Sequence, residues 1–365
     1  MKKYMLLVVS LMILFSACQT KSDEILIGGA ISLTGDNALQ GNRGFNGMLL
    51  AIDMVNENGG INGKNVKMVA EDTKTTAKGV IDATNKLIRI NNVAGIITTG
   101  DIEFQAVNDI TKKEQIVTLA TICSGMLEKD RSPYLFRYCF NEKIQDSILM
   151  HFISHELREN EVALLYPNNM WGREIEQYTE AGAKSAGITI NIKETYDPNS
   201  LDQKAVATKI NKLNPRIICA RGFGSGFEAV LRYLSELGFK GIVVGDITIS
   251  LPGTINNTKG IIEGAYYVSV DLKSGDNFTN QYKELYAKKY KEEPSVWDAL
   301  GFDACMYMIE AIKAAENKKQ PLVEAMFNVE NIKLLLGKNK FELSNDVIFE
   351  MSIFKIIEGK GVFIQ

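Results

Sequence analysis

Histidine and tryptophan are nearly missing from this chain, with two of each among 365 residues. Because imidazole is the commonest metal ligand and general base, the shortage limits what chemistry the protein can do. His151 and His155 lie four apart on a helical stretch, and with no third ligand in view they read as a solvated or structural pair. Cysteine is sparse: five residues with no CxxC pair, which removes the spacing of a zinc or redox cluster. Excess positive charge is missing as well. Lys and Arg number 41 against 44 Asp and Glu, for a net charge of −3, so no broad field attracts phosphate and nucleic acid is not an expected partner. Runs such as Lys288-Lys289-Tyr290-Lys291 sit among glutamates and read as solvated helix faces. Gly222-Phe223-Gly224-Ser225-Gly226 follows an apolar run without the spacing of a dinucleotide fingerprint. Beyond the N-terminus no apolar run is long enough to cross a bilayer, and no low-complexity linker divides the chain.

What is present begins with the N-terminus. Lys2 and Lys3, the apolar run Met5 to Phe15 and the small pair Ser16-Ala17 have the layout of a secretory signal. Phe15-Ser16-Ala17-Cys18 resembles a bacterial lipobox, with Phe15 where Leu is usual. That resemblance implies a lipidated Cys18 as first mature residue, an exported chain anchored to the membrane, and a signal peptide at 1–17. Residues 18–23 then form a polar tether. Disulfides are permissible after export, but sequence does not pair Cys123, Cys139, Cys219 and Cys305. Cys219 and Cys305 lie in apolar runs and read as small buried hydrophobes.

The remaining ~340 residues suit two domains, and they alternate short β-type runs with amphipathic helices, the signature of parallel sheets covered by helices. Ile25 to Leu33 reads as a strand. Phe45, Met48, Leu49, Ile52 and Val55 recur at helical spacing before the stop at Asn58-Gly59-Gly60. Further strands are predicted at Val66 to Ala70, Ala94 to Thr98 and Ile116 to Ala120. The cycle restarts after Tyr138, with strands at Val162 to Tyr166, Ile188 to Thr195, Arg216 to Ala220, Ile242 to Gly245 and Ala265 to Val270. Two helices follow, then β runs at Lys340 to Leu343 and Ile348 to Ile357.

Gly29-Ala30-Ile31-Ser32-Leu33-Thr34-Gly35, Asn56-Glu57-Asn58-Gly59-Gly60-Ile61-Asn62-Gly63-Lys64 and Glu71-Asp72 resemble the opening of the leucine/isoleucine/valine-binding protein family. The likeness continues through Arg137, Tyr166 to Gly172 and Gly222-Phe223, covering nearly the whole mature chain. It implies an α/β fold of the type I periplasmic binding proteins: two Rossmann-like lobes joined by three crossovers and closing on ligand about a hinge. The lobes are placed at 24–141 plus 272–348 and at 142–271 plus 349–365.

In open α/β sheets ligands sit beyond the carboxyl ends of the strands, so the residues that follow each strand are the candidates. The resemblance implies that Thr99 binds a ligand carboxylate, and its alternative is a turn or cap residue. Asp101 reads as a helix cap whose charge opposes a nearby carboxylate. The carbonyl of Thr121 would meet an ammonium. Cys123, where the family commonly has Thr, would offer its backbone N–H, with Ser124 beside it. A nucleophilic Cys123 is the sharper alternative, with no base in view. Trp171 would cover the ligand from the opposite lobe. Phe223 stands where the family often has Tyr, and Asp246 is near the acidic ammonium partner or else is a cap. Gln40 would make a side pocket more polar. The function so implied is capture of a small amino acid or an amide-like compound by a monomer, without cofactor or catalysis, for a membrane ABC permease. The alternatives are a sensor of the same fold or a Rossmann-type enzyme, which would need a phosphate loop or a base and nucleophile pair.

Overall fold

A computed structural model of the chain describes residues 24–123, 130–258, 260–272, 276–329, 332–336 and 340–364. The signal segment, Cys18, the tether and Ser124 lie outside them. Twelve strands, β1 Ile25–Ile31, β2 Val66–Asp72, β3 Gly95–Thr99, β4 Thr118–Thr121, β5 Leu135–Tyr138, β6 Glu161–Pro167, β7 Thr189–Tyr196, β8 Ile217–Ala220, β9 Ile242–Asp246, β10 Tyr266–Ser269, β11 Ser352–Ile357 and β12 Lys360–Phe363, form two sheets among the described residues. The first runs β2-β1-β3-β4-β5 and the second β12-β11-β10-β9-β8-β6-β7. All pairs in the first sheet are parallel, as are those from β7 to β10 in the second. The antiparallel hairpin β11–β12 closes the second sheet against β10.

Strands buried on both faces explain the apolar runs: every residue of β3, β4, β5 and β8 is buried. The helices between them carry one apolar face. In Ala77–Arg89, Val80, Ala83, Thr84 and Leu87 point inward, and the Thr76 hydroxyl caps the start by accepting from Gly79 N at 3.0 Å. The chain passes between sheets three times. After β5 the helix Glu142–His155 packs on the helix Met170–Ala186 and on β10. After β10 the chain returns, and the helix Val296–Lys318 lies along Ala38–Glu57 over the first sheet. It then re-enters the second sheet at β11. Cys123, Cys139, Cys219 and Cys305 are all buried free thiols.

Glycine sets the spacing of the two long helices over the first sheet. A Cβ on Gly47 would overlap the Asp298 carbonyl oxygen, and one on Gly301 the Gly44 carbonyl oxygen. Asp298 forms the capping box of the second helix with Ser295 and also accepts from the Tyr286 hydroxyl. One turn on, the buried Asp303 carboxylate accepts from Leu335 N at 2.8 Å, Leu336 N at 2.9 Å and the Tyr138 hydroxyl at 3.1 Å. It joins β5, the long helix and the segment 332–336.

Several expectations need correcting. Lys340 to Leu343 is not a strand: Phe341 makes a single bridge to Val347, and the following residues run beside β5, with Arg137 N donating to Asn345 O at 2.9 Å. The last β run starts at Ser352 rather than Ile348, and the β12 hairpin strand has no period-2 apolar pattern that would reveal it. Asp101 is the first residue of its helix, and the cap position falls to Gly100. Gly100 has φ +106°, and a Cβ there would overlap Glu103 Oε2, so the loop requires glycine.

Gly301→Ala is expected to lower unfolding free energy by about 1–3 kcal/mol through overpacking, read from a urea melt. Burial raises the Asp303 pKa to about 7, against the pull of its three donors. A carboxyl whose folded pKa lies above its unfolded value contributes stability at acid pH and loses it as pH rises through the folded value. Stability should therefore fall from about pH 4, where the unfolded carboxyl ionises, to about pH 7, where the folded one does, and Asp303→Asn should flatten that slope, as thermal melts across the range will register.

Candidate functional site

The carboxyl end of the first sheet carries a compact polar layer. Ser32, just past β1, donates its N–H to Thr99 Oγ1 at 3.1 Å, and its hydroxyl lies 2.9 Å from Thr99 O and 2.6 Å from Glu103 Oε1. Thr73, just past β2, donates to the same Glu103 oxygen at 2.5 Å. Glu103 thus pins three strand ends together while wholly buried, and its Oε2 has no partner. Burial drives its pKa up, outweighing the two hydroxyl donors.

The expected residues of this half are placed around that layer. Thr99 is at the end of β3 and fully buried, with its methyl against Gly44. Thr121 at the end of β4 is equally buried; its carbonyl accepts from Gly100 N at 3.1 Å and its hydroxyl donates to Tyr138 O at 2.9 Å. Gln40 is buried one helical turn before Gly44, with Oε1 unpartnered. Cys123 is buried, and burial first, then Cys139 and Asp101, push its thiol well above the usual range. A thiol so held is not a nucleophile.

The second sheet ends in a different device. Arg221, the residue after β8, is fully buried, and its guanidinium meets three carboxylates: Glu142, Asp146 and, at 2.8 Å, Asp246 Oδ2. Asp246 ends β9, and its other oxygen accepts from Thr248 N at 2.8 Å and Thr248 Oγ1 at 2.5 Å. It therefore serves as cap and ion-pair partner together, and the ammonium role expected of it would have to share both. Glu142 opens the helix Glu142–His155 behind the Asn141 cap, and Asp146 lies one turn on, where Thr179 Oγ1 donates to it at 3.2 Å. Burial raises the Asp146 pKa to about 7, while Arg221 pulls it down. For Arg221 burial disfavours the charge, and the three acids more than compensate, holding it above its ordinary value.

Trp171 and Phe223 sit on top of this cluster. Asn169 caps the helix Met170–Ala186 by accepting from Gly172 N at 2.9 Å, which sets Trp171 in the first turn. The indole N–H points to Glu142 Oε1 at 3.3 Å, and its ring lies 5.4 Å from the half-buried ring of Phe223. Residues from the ends of β8 and β9 and from the helices Glu142–His155 and Met170–Ala186 thus converge, and Ile247, the residue after Asp246, packs into the core of the first lobe. The carboxyl edge of the second sheet therefore adjoins the first.

Sequence reasoning missed Arg221, Glu142, Asp146 and Glu103. Their signals were an arginine directly after a wholly apolar strand and acids in the first turns of two helices, with Asp146 one turn beyond Glu142. Only the fold shows that the first three meet. His151 and His155 stack with ring centroids 3.8 Å apart, and no group of three metal-ligating side chains occurs among the described residues. An open surface hollow at Phe327 and Lys340 to Ser344 involves no strand end. Arg221→Met would leave three buried carboxylates facing no cation and is expected to destabilise the fold by about 3–5 kcal/mol, measured by denaturant titration.

Comparison with known proteins accords with this geometry. A family model described as "Periplasmic binding protein" matches residues 24–360. The chain is 22% identical over 363 residues to Leu/Ile/Val-binding protein homolog 7 of Brucella suis, covering 93% of this chain and 90% of that protein. Among solved structures, the branched-chain amino acid transporter substrate-binding protein LivJ of Streptococcus pneumoniae, in complex with isoleucine, superposes with a TM-score of 0.84 at 20% identity, covering 94% of this chain and all of that one. A solute-binding protein of an ABC transporter from R. palustris, in complex with benzoate, gives 0.82 at 16% identity, covering 93% and 95%. At such identities the superpositions establish the fold. The family match spans nearly every described residue, and on it this chain belongs to the periplasmic binding protein family, whose members work outside the cytoplasm.

Proposed function

We propose that this protein is the substrate-binding component of an ABC transporter and captures a small amino acid or amino-acid-like compound between its lobes. The observation that carries this reading is the convergence of buried polar groups with the Trp171–Phe223 ring pair at the carboxyl ends of the parallel strands of two sheets whose edges adjoin. Strand-end loops supply hydrogen-bonding groups there, and the aromatic faces supply cover. The names of the relatives, Leu/Ile/Val-binding proteins and an isoleucine-bound transporter component, support an amino-acid-like ligand. Lobes at 24–141 plus 272–348 and 142–271 plus 349–365 would close as rigid bodies about the three passages between them. Thr99, Thr121, Cys123 and Gln40 would serve the first lobe, and Trp171, Phe223 and Asp246 the second. A lipidated Cys18 would hold the monomer at the membrane beside its permease.

Capture involves no bond making, in keeping with a Cys123 thiol held well above its ordinary pKa. Native mass spectrometry of the freshly purified protein should show a co-purifying small molecule. Its return to stripped protein should reduce the radius of gyration in solution scattering, and Trp171→Ala should weaken binding at least tenfold by calorimetry. A scattering profile that no metabolite changes, or a ligand released chemically altered, would sink the proposal.

A further inference from the structure

The first lobe leaves several polar atoms unpaired at its strand ends. Glu103 Oε2 and Gln40 Oε1 are buried acceptors, and the Trp297 indole N–H, beside Phe140 just past β5, is a buried donor. Gln40 can exchange its amide nitrogen for its oxygen by rotation. Glu103 in its ionised form has acceptors only. Burial raises its pKa against the pull of the two hydroxyls at Oε1 and of its own backbone N–H. A buried acceptor left unpaired costs free energy that a ligand donor would recover.

Charge in the second lobe points the same way. Glu142, Asp146 and Asp246 surround Arg221 alone. Even with Asp146 protonated, two carboxylates face one guanidinium. Arg131 and Arg137, beside β5, share the carboxylate of Asp346, two positive charges to one negative, while the negative excess lies in the second lobe. A ligand carboxylate shut into this cleft would add to the negative excess, whereas a cation would relieve it and could rest on the Trp171 and Phe223 faces. We infer that the ligand is a small organic cation, an amine or amidinium whose carboxylate is absent or masked, and that Glu103 is the residue that reads its N–H donors. This inference rests on the capture function proposed above and narrows its ligand class.

Calorimetry on the stripped mature protein with a matched set tests it: isoamylamine and leucinamide as cations, leucine as zwitterion, 4-methylpentanoate as anion, alongside a panel of alkylamines and amidines. The expected result is that cations bind at least tenfold more tightly than leucine, and that the anion does not bind. Glu103→Gln should abolish that preference while leaving the melting temperature near wild type. Leucine binding as tightly as leucinamide overturns the inference, as does a folded Glu103→Gln protein that keeps the preference. If that variant does not fold, the wild-type series decides alone. Compaction in scattering by a neutral or anionic metabolite, with no cation binding, overturns the cationic assignment and leaves the capture function standing. No compaction by any compound overturns both.

Discussion

A guanidinium keeps its proton at any pH a protein survives, so burying Arg221 completely obliges the fold to bring acids to it. Three arrive, one from the end of β9 and two from successive turns of the helix Glu142–His155. The second lobe's strand ends are fixed by this requirement. Because Glu142 also accepts the Trp171 indole N–H, the same cluster sets the ring that would cover a ligand. Charge burial is here coupled to site geometry, because Glu142, one of the acids that neutralise Arg221, also orients Trp171.

The first lobe solves a similar problem without a cation. Glu103 draws the ends of β1 and β2 together through Ser32 and Thr73, and Gly100 gives its second oxygen room. One edge is thus held by a compensated charge and the other by an incompletely compensated one. Preorganised groups of this kind reduce the ordering cost of binding.

Within each lobe little is free to move. The helices over the first sheet approach closely enough that glycine is needed at Gly47 and Gly301, and Asp303 stitches one of them to β5. Packing at that density transmits displacement instead of absorbing it.

Local patterning in the sequence was enough for most of the parallel-strand order, because buried parallel strands such as Ile217–Ala220 have to be apolar throughout and helices such as Ala77–Arg89 have to carry one apolar face; it failed after β10, where the short β12 carries no such pattern. It also brought attention to the strand-end loops, since a parallel sheet leaves its polar termini there. Short-range pattern could not show that Arg221 lies against Glu142 and Asp146, more than seventy residues away in the chain, or that Asp246 is already engaged by that arginine. Nor could it show that Glu103 reaches across three strands. Those facts depend on which chain segments become neighbours, and only the closing of the sheets and the packing of helices upon them decides that.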